Sequence, residues 1–167
     1  MAKEIELEPG KSCLSYDELW DEVVQQFHGG KHSIHGPKHW NRVLQFGLKI
    51  SESSGADVSV VRLFALFHDS RRQNDGFDPG HGLRGAEFAK QLRDEGKFQL
   101  EDEQFEKLYY ACQWHTDETH HDDVTIGTCW DSDRLDLGRV CIMPKAKYLN
   151  TAAAKRATEI GPDLFLE

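Results

Sequence analysis

Apolar residues recur along this chain at helical rather than strand spacing, in blocks separated by Gly, Pro, Asn and Asp. After Ser15, the residues Leu19, Trp20, Val23, Val24 and Phe27 form one stripe, with Asp17, Glu18 and Asp21 near the end where a helix dipole favours negative charge. Ser15 reads as the N-cap and Gly29-Gly30 as the stop. Pro37 suits the first turn of a second helix, whose face runs through Val43, Leu44, Gly47 and Ile50 and ends at Gly55. Asp57 can cap a third, in which Val58, Val61, Leu63, Phe64, Ala65 and Phe67 are apolar on nearly every side, the pattern of a buried central helix.

The stretch from Ser70 to Gly80, rich in Asn, Asp, Gly and Pro, predicts a loop that leads into His81. A fourth helix over 82–93 carries Leu83, Ala86, Phe88, Ala89 and Leu92, and a fifth over 102–115 turns Phe105, Leu108, Tyr109 and Cys112 inward. Residues 116–123 read as acidic loop, Thr128 as the cap of a helix through Leu137, and Met143-Pro144 as a break before a last helix that starts near Asn150 or Thr151. With no alternating strand pattern and no repeat, the expected fold is all-α, an irregular helical bundle. Residues 1–14 read as a flexible N-terminal arm and 15–167 as a single domain.

At 167 residues the chain can bury a core without disulfides, and nine Phe, four Trp and four Tyr argue against disorder. Cys13, Cys112, Cys129 and Cys141 make no Cys-x-x-Cys pair and read as packed, reduced thiols. The N-terminal residues lack the basic start and apolar stretch of a signal peptide, and no run approaches a membrane span, so a cytoplasmic protein without membrane contact is expected. A formal charge of −9 works against binding a nucleic-acid polymer, whose affinity comes from Lys and Arg on phosphates. It leaves room for a small anionic substrate, because a bound dication reverses the field locally.

The candidate chemistry begins where the third helix ends. His68 and Asp69 follow the apolar run 60–67 directly, which places an imidazole and a carboxylate where burial demands a partner. Upstream, His39 opens the second helix; downstream, Asp131-Ser-Asp133-Arg-Leu-Asp136 offers carboxylates; His81 and His115 stand between. Mn, Fe, Co, Ni and Zn as divalent ions accept imidazole and carboxylate ligands, so these residues could hold one ion or two. His35 lies four residues before His39, but Pro37 places it in the preceding loop, as a contact behind the ligands or to substrate. His28, His32, His120 and His121 read as exposed helix ends or loops. Gly80-His-Gly82-Leu-Arg-Gly85 spells a dinucleotide-binding signature, but no strand precedes it, and helix entry accounts for its glycines.

The succession His39, His68-Asp69, His81, His115 and Asp133, with Trp40-Asn-Arg-Val after the first and Arg-Leu-Asp after the last, resembles the HD-domain metal-dependent phosphohydrolases over roughly residues 31 to 140. The resemblance implies an HD-type helical domain in which His39, His68, Asp69 and Asp133 bind one divalent metal and His81 and His115 help to bind a second. The family motif sets its last ligand directly before Arg-Leu, which favours Asp133 over Asp131. It further implies hydrolysis of a small-molecule phosphate ester, with a nucleotide as one candidate, by metal-activated water. In a dinuclear site Asp69 would bridge the metals, and Arg71, Arg72 or Lys38 could hold the substrate phosphate, for which guanidinium forks are well suited. Two departures narrow this. Ser70-Arg71-Arg72 stands where some HD nucleotidases carry an acidic general acid, and the Gly-Tyr-Pro segment of the cyclic dinucleotide phosphodiesterases is missing after His115. The same ligands would serve a di-iron oxygenase on this scaffold, or a metal-stabilised binding domain without catalysis.

Overall fold

The computed structural model describes residues 13–167. Among them the order is α1 (Tyr16–Gln25), α2 (Pro37–Ser54), α3 (Val58–Phe67), α4 (His81–Asp94), α5 (Asp102–Trp114), α6 (Val124–Leu135), α7 (Ala152–Ile160) and α8 (Pro162–Leu166). Short 3-10 turns lie at Asp136–Val140 and Ala146–Tyr148, and the described residues contain no strand. The fold is all-α, as the apolar spacing predicts. No helix of the described residues is long and apolar enough to cross a membrane.

Local chemistry sets most helix ends. The Ser15 side chain accepts from the Glu18 amide while the Glu18 carboxylate accepts from the Ser15 amide at 2.8 Å, so two otherwise orphaned donors are satisfied together. Asp57 caps α3 through the amides of Ser59 and Val60, and α2 stops at Gly55 in a left-handed conformation. Three boundaries differ from expectation. α1 ends at Gln25, short of Gly29, because the Phe27 amide turns tightly back to the Val24 carbonyl and its ring packs edge-on against Trp40. α6 is capped by Asp123, which accepts from Thr125 and Ile126, while Thr128 is buried inside the helix with its hydroxyl 3.0 Å from that of Ser54. At its other end α6 tightens into the 3-10 turn after Leu135 instead of continuing to Leu137.

α3 is the centre of the molecule. Val60, Val61, Phe64, Ala65, Leu66 and Phe67 are buried, and α1, α2, α4, α5 and α6 all pack on this helix. Val58, Ser59 and Arg62 in its first half are exposed, so the expected all-round burial holds only from Leu63 onward; fully burying one apolar side chain there stabilises by about 1.5–3 kcal/mol, which fixes the C-terminal end firmly. α4 comes close to that end because two of its positions have no side chain. A Cβ on Gly85 would lie 2.4 Å from the Phe67 carbonyl oxygen, and one on Gly82 would lie 2.4 Å from that of Cys112 in α5. Gly82 and Gly85 of the run that spells a dinucleotide signature are thus packing devices, while Gly80 precedes the helix in a left-handed conformation.

A smaller apolar cluster of Phe46, Ile50, Leu135, Leu149, Ala154 and Ala157 attaches α7 to α2 and α6, with Phe165 and Leu166 of α8 packed against it; α8 has no counterpart in the sequence reading. The expected arm, 1–14, falls outside the described residues up to 12. At its end the chain is held, since the Leu14 amide donates to the Lys97 carbonyl at 2.9 Å. Cys112 and Cys129 are packed as expected, whereas Cys13 and Cys141 are exposed.

Candidate metal centre

Six side chains from five elements meet beneath the C-terminal end of α3. His39 comes from the first turn of α2, His68 and Asp69 follow α3, His81 opens α4, His115 closes α5, and Asp133 lies in α6. The His39 Nε2 atom is 3.1 Å from His68 Nε2, 3.1 Å from Asp133 Oδ1 and 3.5 Å from Asp69 Oδ2. His68 Nε2 completes the group, 3.5 Å from Asp69 Oδ2 and 3.6 Å from Asp133 Oδ1. A second group forms on the other oxygen of the same carboxylate. Asp69 Oδ1 is 3.3 Å from His81 Nε2 and 3.5 Å from His115 Nε2, which are themselves 3.0 Å apart.

The far nitrogen of each ring decides what these contacts are. Nδ1 of His68 faces the carbonyls of Phe64 and Ala65, Nδ1 of His81 that of Asp78, and Nδ1 of His115 that of Cys112. Carbonyl oxygens only accept, so each of these Nδ1 atoms carries the proton. His39 Nδ1 likewise donates to the Asp136 carboxylate at 2.7 Å. In the neutral rings every Nε2 is then a lone pair, and lone pairs meet one another and carboxylate oxygens at 3.0–3.6 Å. Such an arrangement repels unless a cation sits among the donors. Ligand bonds of about 2.0–2.2 Å place two atoms of one coordination sphere roughly 2.9–3.6 Å apart, which is the observed spacing. The buried groups His39, His68, Asp69 and Asp69, His81, His115 could therefore each hold a metal ion. A backbone or carboxylate partner behind each imidazole is also what orients histidine ligands in metal sites.

Charge in the cluster points the same way. Burial pushes the Asp69 carboxyl up, but without metal, protons on the neighbouring imidazoles take the place of a cation, and His68, with His115, His35 and His81, outweighs burial and holds the group well below the usual carboxylate range. Asp133 behaves alike, with burial opposed by His39 and His68. Burial lowers the His39 imidazole, yet Asp133, Asp136 and Asp69 raise it above its ordinary 6.5, so without metal a proton takes the place of the cation there. Burial, with Asp69 close by, pushes the Cys112 thiol up, so it offers no thiolate.

The remaining expected residues divide. Arg72 Nε lies 3.4 Å from Asp69 Oδ1 without an aligned hydrogen bond, and its Nη1 donates to the carbonyls of Asn74 and Gly76. Arg71 is engaged elsewhere: its guanidinium lies 3.7 Å over the Phe88 ring and donates to Gln26, and among the described residues no ion pair joins it to Asp69 or Asp133. Lys38 is exposed and lines a cleft of about 380 Å³, together with Lys31, Arg42 and Arg139, that reaches His39 and Asp136. His35 is buried, with Nδ1 3.1 Å from Asp69 Oδ2 and its carbonyl accepting from Trp40 Nε1 at 2.7 Å. Asp131 is buried away from the cluster, accepting from the amides of Asn150 and Thr151 and from their side chains. His28, His32 and His120 are exposed, but His121 is half-buried against Tyr110 and Trp130.

Two supports escaped the sequence reading. Asp136, behind His39, carries a signal in its three-residue spacing from Asp133, which puts both carboxylates on one side of a helical turn. Asp78 carries none: its carboxylate accepts from the Gln73 amide and Arg84 and so holds the loop whose carbonyl orients His81. No family model, no curated protein and no solved structure matches this chain.

Proposed function

We propose that this protein is a metal-dependent hydrolase of a small anionic phosphate ester, with its ligands arranged as in the HD-domain phosphohydrolases. The observation that carries the reading is the division of Asp69: one oxygen faces His39 and His68, the other faces His81 and His115. A carboxylate shared in this way suits two ions, one completed by Asp133. His39, His68, Asp69 and Asp133 would hold one divalent ion and Asp69, His81 and His115 a second, and such ions would supply Lewis acidity toward water and the phosphoryl oxygens.

The chain's own residues do the rest. Asp133 is the most open of the six, with 16% of its side chain exposed, so substrate and water approach on its side of the cluster. Lys31, Lys38 and Arg139 line the cleft that leads to His39 and draw an anion inward although the whole chain is at −9. Arg72 brings a fixed positive charge to the Asp69 side of the centre. An approach open to solvent favours a reactive site over a closed structural one. Four imidazoles and two carboxylates without a thiolate serve iron as well as they serve Mn or Zn, which gives an oxygenase on the same scaffold as the second reading.

Elemental analysis of protein purified without added metal, followed by a phosphoester panel on that sample, tests the proposal. Two divalent ions per chain and metal-dependent phosphate release are expected. Metal-loaded protein that releases no phosphate but consumes oxygen with an organic substrate would replace hydrolysis by the second reading.

A further inference from the structure

His39 is the end of a hydrogen-bonded chain that leaves the centre and crosses to the C-terminal helix. Its Nδ1 donates to Asp136 Oδ2 at 2.7 Å; Asp136 Oδ1 accepts from Arg42 Nε at 2.5 Å; Arg42 Nη2 donates to Asp163 Oδ1 at 2.7 Å. Asp136 is 2% exposed, and these two donors occupy one oxygen each. Asp163 lies in α8, which is secured beside α2 by the apolar cluster around Phe46 and Ile50. The guanidinium fork is what allows one side chain to face both carboxylates at once; an ammonium has no such geometry.

We infer that Arg42 is a positioning residue for the ion held by His39, His68 and Asp133, and that α8 reaches that ion position through it. The inference rests on the metal reading above. Arg42 lines the cleft but makes its hydrogen bonds to Asp136 and Asp163, not to His39, His68 or Asp133; it fixes Asp136, and Asp136 fixes which way the His39 ring presents Nε2. The rings at His81 and His115 are oriented instead by the carbonyls of Asp78 and Cys112, and among the described residues no hydrogen bond joins them to Asp136 or Arg42; Asp69 is the one ligand the two positions share. The two positions must therefore respond differently when the chain is cut, and a general loosening of the fold would move both.

Two backgrounds make the test. In His81→Ala only the His39/His68/Asp133 position remains, and in His68→Ala only the His81/His115 position. Cobalt(II) binding is followed by its visible absorption and by chelator competition. Adding Arg42→Ala to the His81→Ala background is expected to weaken cobalt about 10–100-fold, the usual effect of removing a group behind a ligand, and to leave the His68→Ala background within about twofold. Arg42→Lys and Asp163→Asn are expected to fall between, and both serve if Arg42→Ala does not fold. Equal losses in both backgrounds, or none in either, overturn the role of Arg42. Failure of the unmodified protein to bind cobalt overturns the metal reading itself and the inference with it.

Discussion

Gly82 in α4 runs so close to Cys112 in α5 that a methyl group on Gly82 would sit 2.4 Å from the Cys112 carbonyl and 3.2 Å from His115 Nδ1. That carbonyl is the acceptor that orients His115. Gly82→Ala must push α4 and α5 apart at the point where His81 and His115 face each other. Overpacking of this kind costs about 1–3 kcal/mol, and here it also spoils one metal position. Thermal unfolding should show the loss, and metal analysis should show one ion retained at His39 and His68 and the other missing. A variant that keeps both ions would place the packing strain somewhere harmless.

Asp69 is the only expected ligand common to both groups, so single substitutions should separate the positions. His68→Ala is expected to leave one ion, His81→Ala the other, and Asp69→Ala neither. Because an ion bound only to the folded state stabilises by mass action, the unmodified protein should melt higher as free metal rises, and Asp69→Ala should not respond. Retention of two ions by Asp69→Ala would remove it as a bridge.

Asp131 and Asp133 stand two residues apart and could not be distinguished by chemistry alone. The structure gives them separate work, one holding Asn150 and Thr151 and the other facing His39 and His68. Asp131→Ala strands several buried donors at once and should cost about 2–4 kcal/mol. Its metal content should match that of the parent. Asp133→Ala should show the converse, with lost metal and a smaller change in the stability of the metal-free protein.

What could be read from the sequence follows from what side-chain patterning encodes. α1, α2 and α3 announce themselves because capping residues and apolar faces coincide at Ser15, Gly55 and Asp57. The start of α6 does not. Small and polar residues are buried there beside Ile126, Cys129 and Trp130, with Gly127 against Asn150, Thr128 against Ser54, and Ser132 bonded back to the Cys129 carbonyl, so burial extends well beyond the apolar positions and blurs the stripe. The six residues of the centre were legible as types that need a partner in a buried setting. Their orienting groups were not, since those behind His68, His81 and His115 are backbone carbonyls, whose position no residue identity records.

Acidity should act oppositely on the metal-free and metal-loaded protein. His39 is raised in the fold above the value of about 6.5 that it has when unfolded. Its proton therefore contributes stability that is fully present below 6.5 and is lost as pH rises through the raised folded value. A metal ion must displace that proton, so loading weakens as pH falls and is accompanied by proton release. Melting curves recorded from pH 8 downward should show the stabilisation by metal shrinking as pH falls through the raised folded value of His39, which lies above its ordinary 6.5, and continuing to shrink below it. A metal increment that is the same at every pH would mean that His39 is not displaced by the ion.

Arg71 and Arg72 are neighbours in sequence with different surroundings, and activity should tell them apart. Arg72 faces Asp69, with its Nε buried and without an aligned acceptor, while Arg71 lies over Phe88 and reaches Gln26. Arg71→Ala removes a cation–π contact, costing about 0.5–1 kcal/mol of stability, and should leave turnover of a phosphoester unchanged. Arg72→Ala removes a positive charge from the centre and should lower kcat/KM about tenfold or more. If Arg72 holds substrate and transition state equally, the loss appears in KM; if its contact tightens as charge moves during the reaction, kcat falls as well. Metal content measured on the same samples separates these outcomes from loss of an ion, because Arg72 supplies no ligand atom. Equal kinetics for the two variants would remove Arg72 from substrate binding and leave it as a fixed partner of the loop carbonyls at Asn74 and Gly76.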